Sequence, residues 1–181
     1  QSKRGAETLI QLFVNEHPLD VRIARIFNTY GPGMRLHDGR VVTNFTAAIL
    51  ENKAMQIYGD GTQTRSLCYI DDLVEGLYRL LIAQNLPDTD SLQERVFNLG
   101  NPTEYTILEI ADQFQRLAQR YLDYPADYQL IDNKDKADPR KRKPDISRAW
   151  HYLGFNPTVP FEHGVEKTFL YFMRQPNTCS E

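Results

Sequence analysis

The sequence predicts an α/β protein, and three observations carry that prediction. Segments with apolar residues at helical spacing alternate along the chain with short runs of strand character. Clusters of Gly, Pro and Asn punctuate the boundaries between them. Of the 181 residues, 41% are hydrophobic, enough to bury a core, and no long uninterrupted apolar run accompanies them.

The elements follow in order. Leu9, Leu12 and Phe13 recur at helical spacing and Pro18 follows, which predicts a helix over 4–17. Residues 21–27 alternate with period two and are short enough for a strand, closed by a Gly31-Pro32-Gly33 turn. A helix running directly into a strand is half of a βαβ unit. A helix is expected over 43–52 and a short strand over 56–58, ended by Gly59 and Gly61. Asp71 and Asp72 precede the periodic residues Leu73, Leu77, Leu80 and Leu81, so they are expected to cap the next helix. Residues 95–99 read as a strand stopped by Gly100-Asn101-Pro102. Thr106 and Glu109 then form a capping box for a helix reaching about Leu122. A polar stretch over 132–144 leads to a short helix over 146–153, closed by Gly154, and a last helix over 161–173.

Composition excludes several classes. With 21 Lys and Arg against 24 Asp and Glu, the net charge of −3 gives no strong field for a nucleic acid. Any anion site must therefore be local. The mean hydropathy of −0.53 argues against a membrane span, and the basic start is not followed by an apolar stretch in signal-peptide order. Cys68 and Cys179 supply neither a disulfide framework nor a zinc quartet, so a reducing, cytoplasm-like compartment is expected. No HExxH, GxSxG or GxxxxGK[ST] motif occurs, and the four histidines are scattered. No metal site is expected. Gly31 and Gly33, like Gly59 and Gly61, lack the third glycine of a dinucleotide-binding loop.

Six polar segments stand in an order that packing alone does not explain: SKRGAE from Ser2, FNTYGPG from Phe27, DGRVVTNF from Asp38, YGDGTQTR from Tyr58 with YIDDL from Tyr69, NLGNP from Asn98 and DPRKRKPD from Asp138. Together they resemble the C-terminal part of the extended short-chain dehydrogenase/reductase family that acts on nucleotide sugars, and within it the members that decarboxylate UDP-glucuronate. FNTYGP, YGDGTQTR and YIDDL are shared widely in that family; DGRVVTNF, KRKPDI and NLGNP discriminate more, and the resemblance spans Lys3 to about Phe172.

The resemblance implies a Rossmann-like fold with a small mixed α/β substrate-binding lobe. Residues 1–33 would be the end of an NAD-binding domain and 34–181 mainly the substrate lobe, with 95–102 returning to the Rossmann sheet. Lys3 would be the lysine of a Tyr-x-x-x-Lys pair, favouring the tyrosinate as general base and holding the nicotinamide ribose. The tyrosine would fall two positions before Gln1, so the chain is expected to be the C-terminal portion of a longer enzyme, inactive by itself. A membrane anchor upstream is left open.

Thr29 and Arg40 would contact NAD, and Asn28, Val42, Asn44, Phe45, Tyr58, Gln63 and Arg65 the UDP-sugar, with Arg65 on the diphosphate. Arg142 would reach the sugar carboxylate or assist protonation after carbon dioxide leaves, with Arg140 and Lys143 contributing less. Read without the resemblance, Asn28 and Thr29 equally suit turn capping, Arg40 a loop charge, Asn44 a helix start, Tyr58 core, and Arg65 and the basic run solvated surface. Cys68 reads as packing.

The implied reaction is oxidation at C4 by NAD, loss of carbon dioxide from the resulting β-keto acid, and reduction to UDP-xylose. The alternatives are a sugar-nucleotide 4-epimerase or 4,6-dehydratase, or a non-catalytic sugar-nucleotide-binding domain. A homodimer is implied through a four-helix bundle that includes the lysine helix, to which Leu9, Leu12 and Phe13 would contribute unless they are ordinary core.

Overall fold

The computed structural model describes residues 2–17, 19–87, 91–132 and 143–175. Helix α1 (Ser2–Glu16) runs into strand β1 (Ile23–Ile26), as the periodicities predict, and β2 (Thr29–Tyr30) follows after two residues. Next come α2 (Val41–Leu50), β3 (Met55–Tyr58), β4 (Thr64–Ser66), β5 (Cys68–Tyr69) and α3 (Ile70–Ile82). A 3₁₀ turn (Leu92–Arg95) leads into β6 (Val96–Leu99), then β7 (Glu104–Thr106), α4 (Ile107–Leu122), β8 (Tyr128–Ile131), α5 (Ser147–Leu153) and α6 (Phe161–Met173).

Strands pair in twos among the described residues. β1 lies parallel to β6 with Ile23 opposite Val96, β2 parallel to β5, and β3 parallel to β8, while β4 and β7 are antiparallel. Parallel partners separated by helices are the βαβ arrangement that the alternation predicts. β2, β4, β5 and β7 are two or three residues long, too short for a period to register in the sequence.

Local signals hold at several ends. Thr106 accepts from the Glu109 N–H and Glu109 reaches back to the Thr106 N–H, completing the capping box at α4. Gly154 closes α5 at φ 60°. Asp71 and Asp72 correct the expectation for α3. They lie inside its first turn, Tyr69 occupies the cap position without a side-chain bond, and buried Asp72 instead accepts from the backbone N–H groups of Thr158 and Val159. A carboxylate at a helix start serves whichever amides come within reach, and here the loop entering α6 does.

Two clusters form the core. The larger packs α2, α4 and α6 around Phe45, Ile49, Phe114 and Phe169, with Met55 and Ile57 of β3 beneath them. The smaller joins Phe97 and Leu99 of β6 to Leu73 and Leu80 of α3 and Phe155. Helix α1 buries none of its residues, and Leu9, Leu12 and Phe13 are 68%, 58% and 55% exposed. Within this chain they are not ordinary core.

Candidate active site

The site begins where the chain changes strand partner. β1 ends on β6, and the Phe27 N–H still donates to the Leu99 carbonyl. One residue later the Asn28 carbonyl accepts from the Cys68 N–H, and β2 continues beside β5. Asn28 and Thr29 thus occupy the step between two strand pairs, at the carboxyl end of β1, where open α/β sheets present ligand contacts.

Loop 34–40 then crosses in front of this step and enters α2. Asp38 organises it. Its Oδ1 accepts from the Arg40 N–H at 3.1 Å and the Thr43 hydroxyl at 2.5 Å, and its Oδ2 accepts from Arg40 Nε at 2.7 Å. Burial opposes the charge on Asp38, but the bonds from Thr43 and Arg40 outweigh it and hold the carboxyl below its ordinary value. The Arg40 Nη1 donates to the Thr29 carbonyl at 3.0 Å, tying the start of α2 to the strand step.

Behind this lies a cleft of about 270 Å³ whose lining includes Asn28, Thr29, Arg40, Asn44, Gln63 and Arg65. Val42 and Phe45 belong to the same lining although nearly all of each is buried in the larger core, so they form its apolar floor. Tyr58 is 52% exposed and lines it too, which removes the reading of that residue as core. The Gln63 side chain donates to the Tyr58 carbonyl at 2.8 Å, and Arg65 Nη1 to the Thr64 carbonyl at 2.7 Å. Residues from a strand end, a helix start and a β-turn therefore meet in one concavity. It combines an apolar wall with amide, phenol and guanidinium groups, the mixture that binds a polar anionic ligand with a flat ring.

A second, more open cleft of about 610 Å³ shares Asn28, Thr29 and Arg40 with the first and adds Lys3 and Lys143. Arg142 and Arg140 lie outside the described residues. Every other residue that the sequence picks out lines one cleft or both.

The model of the NAD dependent epimerase/dehydratase family matches residues 1–100, more than half of the chain. The chain belongs to that family. Among curated members, UDP-glucuronic acid decarboxylase 6 of Arabidopsis thaliana is 42% identical over 165 residues, 91% of this chain and 44% of that protein. UDP-glucuronic acid decarboxylase 1 of Danio rerio is 40% identical over 177 residues, 97% of this chain and 39% of its own length. The chain thus spans less than half of these epimerase/dehydratase relatives. Among solved members, UDP-glucuronic acid 4-epimerase from Bacillus cereus in complex with UDP-glucuronic acid and NAD superposes with a TM-score of 0.79 at 27% identity, covering 93% of this chain and 50% of that one. UDP-glucose 4-epimerase from Thermotoga maritima with UDP-glucose gives 0.82 at 26%, covering 95% and 52%.

Sequence reasoning passed over Asp38, Met34 and Gln56, which the structure brings to the epimerase/dehydratase cleft or its rim. The signal for Asp38 was present as an aspartate two residues before an arginine at a helix start. Lys143, to which the resemblance gives a smaller part than to Arg142, lines the open cleft and is the one residue of the basic run 140–143 among the described residues. Cys68 is fully buried, and burial first, then the charge of Asp72, pushes its thiol up to about 12, as packing rather than nucleophilic use requires. No helix among the described residues is long and apolar enough to cross a membrane.

Proposed function

We propose that the full-length protein carrying this chain decarboxylates UDP-glucuronate to UDP-xylose with NAD, and that this chain supplies the sugar-nucleotide half of the site. The observation that carries the reading is the identity of 42% over 91% of the chain to a UDP-glucuronic acid decarboxylase, coinciding with a cleft into which the residues singled out in the sequence converge.

Arg65 and the first turn of α2 hold the diphosphate. In that turn the N–H groups of Val41, Val42 and Thr43 have no intrahelical acceptor, so they and the positive helix end suit an anion. Asn44 orients the phosphates, and Tyr58 and Gln63 face the uridine or ribose. Phe45 and Val42 give the base or sugar a dry floor. Asn28 positions the sugar at the end of β1.

Lys3, Thr29 and Arg40 fit an NAD nicotinamide ribose and its phosphate. An ammonium, a hydroxyl and a guanidinium line one open cleft contiguous with the sugar-nucleotide cleft. NAD when bound supplies reversible hydride transfer at C4 of the sugar. With a ketone at C4 the sugar is a β-keto acid, and carbon dioxide leaves as the carbonyl takes up the electron pair. The chain's share is orientation and charge: Lys143, with Arg142 beside it in sequence, offsets the carboxylate and then the enolate.

Residues 1–33 with 95–102 then belong to the cofactor domain, a division supported by the parallel pairing of β1 with β6, and 34–181 mainly to the substrate lobe. The exposed apolar face of α1 suits a homodimer, and the free, buried Cys68 a reducing cytoplasm.

A 4-epimerase is the second reading, favoured by the likeness to solved 4-epimerases. Full-length protein incubated with NAD and UDP-glucuronate labelled in the carboxyl group separates the two. Release of labelled carbon dioxide with formation of UDP-xylose is expected. Conversion to the C4 epimer with the label retained overturns the proposal.

A further inference from the structure

Arg40 lines both clefts, and it is held there at three points. Its Nε donates to Asp38 Oδ2 at 2.7 Å, Nη2 stands 2.6 Å from the same oxygen, and Nη1 donates to the Thr29 carbonyl at 3.0 Å. A guanidinium has five N–H groups in a rigid fork, so two remain for a ligand. An exposed Arg–Asp pair ordinarily fixes nothing, because both long side chains wander and water screens them. This pair differs in its anion. The Asp38 side chain is only 14% exposed, and it also accepts from the Arg40 N–H and from the hydroxyl of fully buried Thr43. Asp38 is therefore anchored to the start of α2 independently of the arginine side chain, and the arginine follows it.

We infer that Asp38 is a positioning residue that acts through Arg40, setting the guanidinium where the sugar-nucleotide and open clefts meet. The inference rests on the proposed function only in taking Arg40 to meet an anionic ligand. Its role is preorganisation: the guanidinium is in place before the ligand arrives, and less freedom is lost on binding.

The test is a double-mutant cycle in the full-length protein, reading the Kd of UDP-glucuronate and of NAD by calorimetry. Arg40→Ala is expected to weaken one or both. Asp38→Asn is expected to weaken the same ligand by roughly fivefold, between the values for an exposed ion pair and a hydrogen-bonded charge. On the Arg40→Ala background it is expected to add less than about twofold, the margin within which independent sites add. Full additivity of the two substitutions, or loss confined to the ligand that Arg40→Ala spares, overturns the inference. A second measurement needs no variant. In ligand-free wild-type protein the Arg40 Nε–H is expected as a slowly exchanging resonance, and a freely exchanging one overturns the inference even if Asp38→Asn fails to fold. Turnover of UDP-glucuronate without carbon dioxide release would sink the decarboxylase reading while leaving both measurements valid.

Discussion

Glu7 of α1 and Arg25 of β1 form a two-point ion pair, Oε1 to Nε at 2.8 Å and Oε2 to Nη2 at 2.6 Å. Helix α1 has no buried side chain, so this pair, with the bond from the Leu92 N–H to Gln11 Oε1 at 3.2 Å, ties it to the strands. Glu7 lies one turn beyond Lys3, on the same face, and the pair thereby sets where Lys3 meets the strand end. Glu7→Gln is expected to lower stability by about 1 kcal/mol, the upper end for a partly exposed pair with bidentate geometry, read by urea unfolding. The hydrogen bond from Arg25 first, and its charge next, hold the Glu7 carboxyl below its ordinary 4.5 despite some desolvation. A lowered folded-state pKa means that the contribution is complete above about pH 4.5 and is lost as the pH falls through the folded value. Protection factors of the α1 amides, taken against the intrinsic exchange rate at each pH, should therefore fall on acidification in the wild type and change less in Glu7→Gln.

Arg65→Ala is expected to weaken UDP binding to the full-length protein by about tenfold, the scale of a charge-assisted contact to phosphate. Calorimetry with UDP alone isolates this from the sugar. Unchanged affinity would place the diphosphate elsewhere in the cleft.

Lys143→Ala is expected to lower the rate of carbon dioxide release more than it raises the Kd of UDP, because its cleft is the open one beside Lys3 rather than the one that holds Arg65. Single-turnover measurements with UDP-glucuronate, set against UDP binding, check the split. Equal losses in both would make it a general anion contact.

Gly164 of α6 lies against the cleft wall from behind. A Cβ there would stand 2.9 Å from a Tyr69 ring carbon and would collide with the buried Tyr30 hydroxyl, which donates to the Phe161 carbonyl. Gly164→Ala is expected to cost about 1–3 kcal/mol through overpacking. Tyr30 and Leu67 line the cleft that holds Arg65, so under the proposed function the same substitution should weaken UDP binding. Thermal unfolding with and without UDP reads both effects.

Cys68 should resist thiol reagents at pH 8 in the folded protein. It is fully buried, and its thiol pKa is pushed up to about 12. Labelling that keeps pace with unfolding in a urea series is expected, and rapid labelling of that residue without urea would contradict the packing described here.

Helix positions were legible because their signals are local and repeated. The box at Thr106 and Glu109, Gly154 at the end of α5 and the spacing of Leu73, Leu77 and Leu80 each need only neighbours in sequence. The shortest strands were not, since β2 and β5 have two residues each and exist only as partners of one another. Asp72 shows the limit from the other side. Its acceptors' partners, Thr158 and Val159, lie more than 80 residues away, and nothing near Asp72 announces them.

The site divides in the same way. Order and type of residues by themselves marked out Asn28, Asn44, Gln63 and Arg65 as candidates for a sugar nucleotide and Thr29 and Arg40 as candidates for NAD, because six short segments in a fixed order carry that resemblance. Tertiary structure alone decided that Arg40 stands at the junction of two clefts, that Asp38 holds it there and that Lys143 reaches the open side. The physical reason is that a motif specifies the groups a ligand needs, whereas their aim is set by hydrogen bonds to carbonyls and hydroxyls that chain folding brings near: Arg40 is fixed by Thr29, eleven residues away on another element.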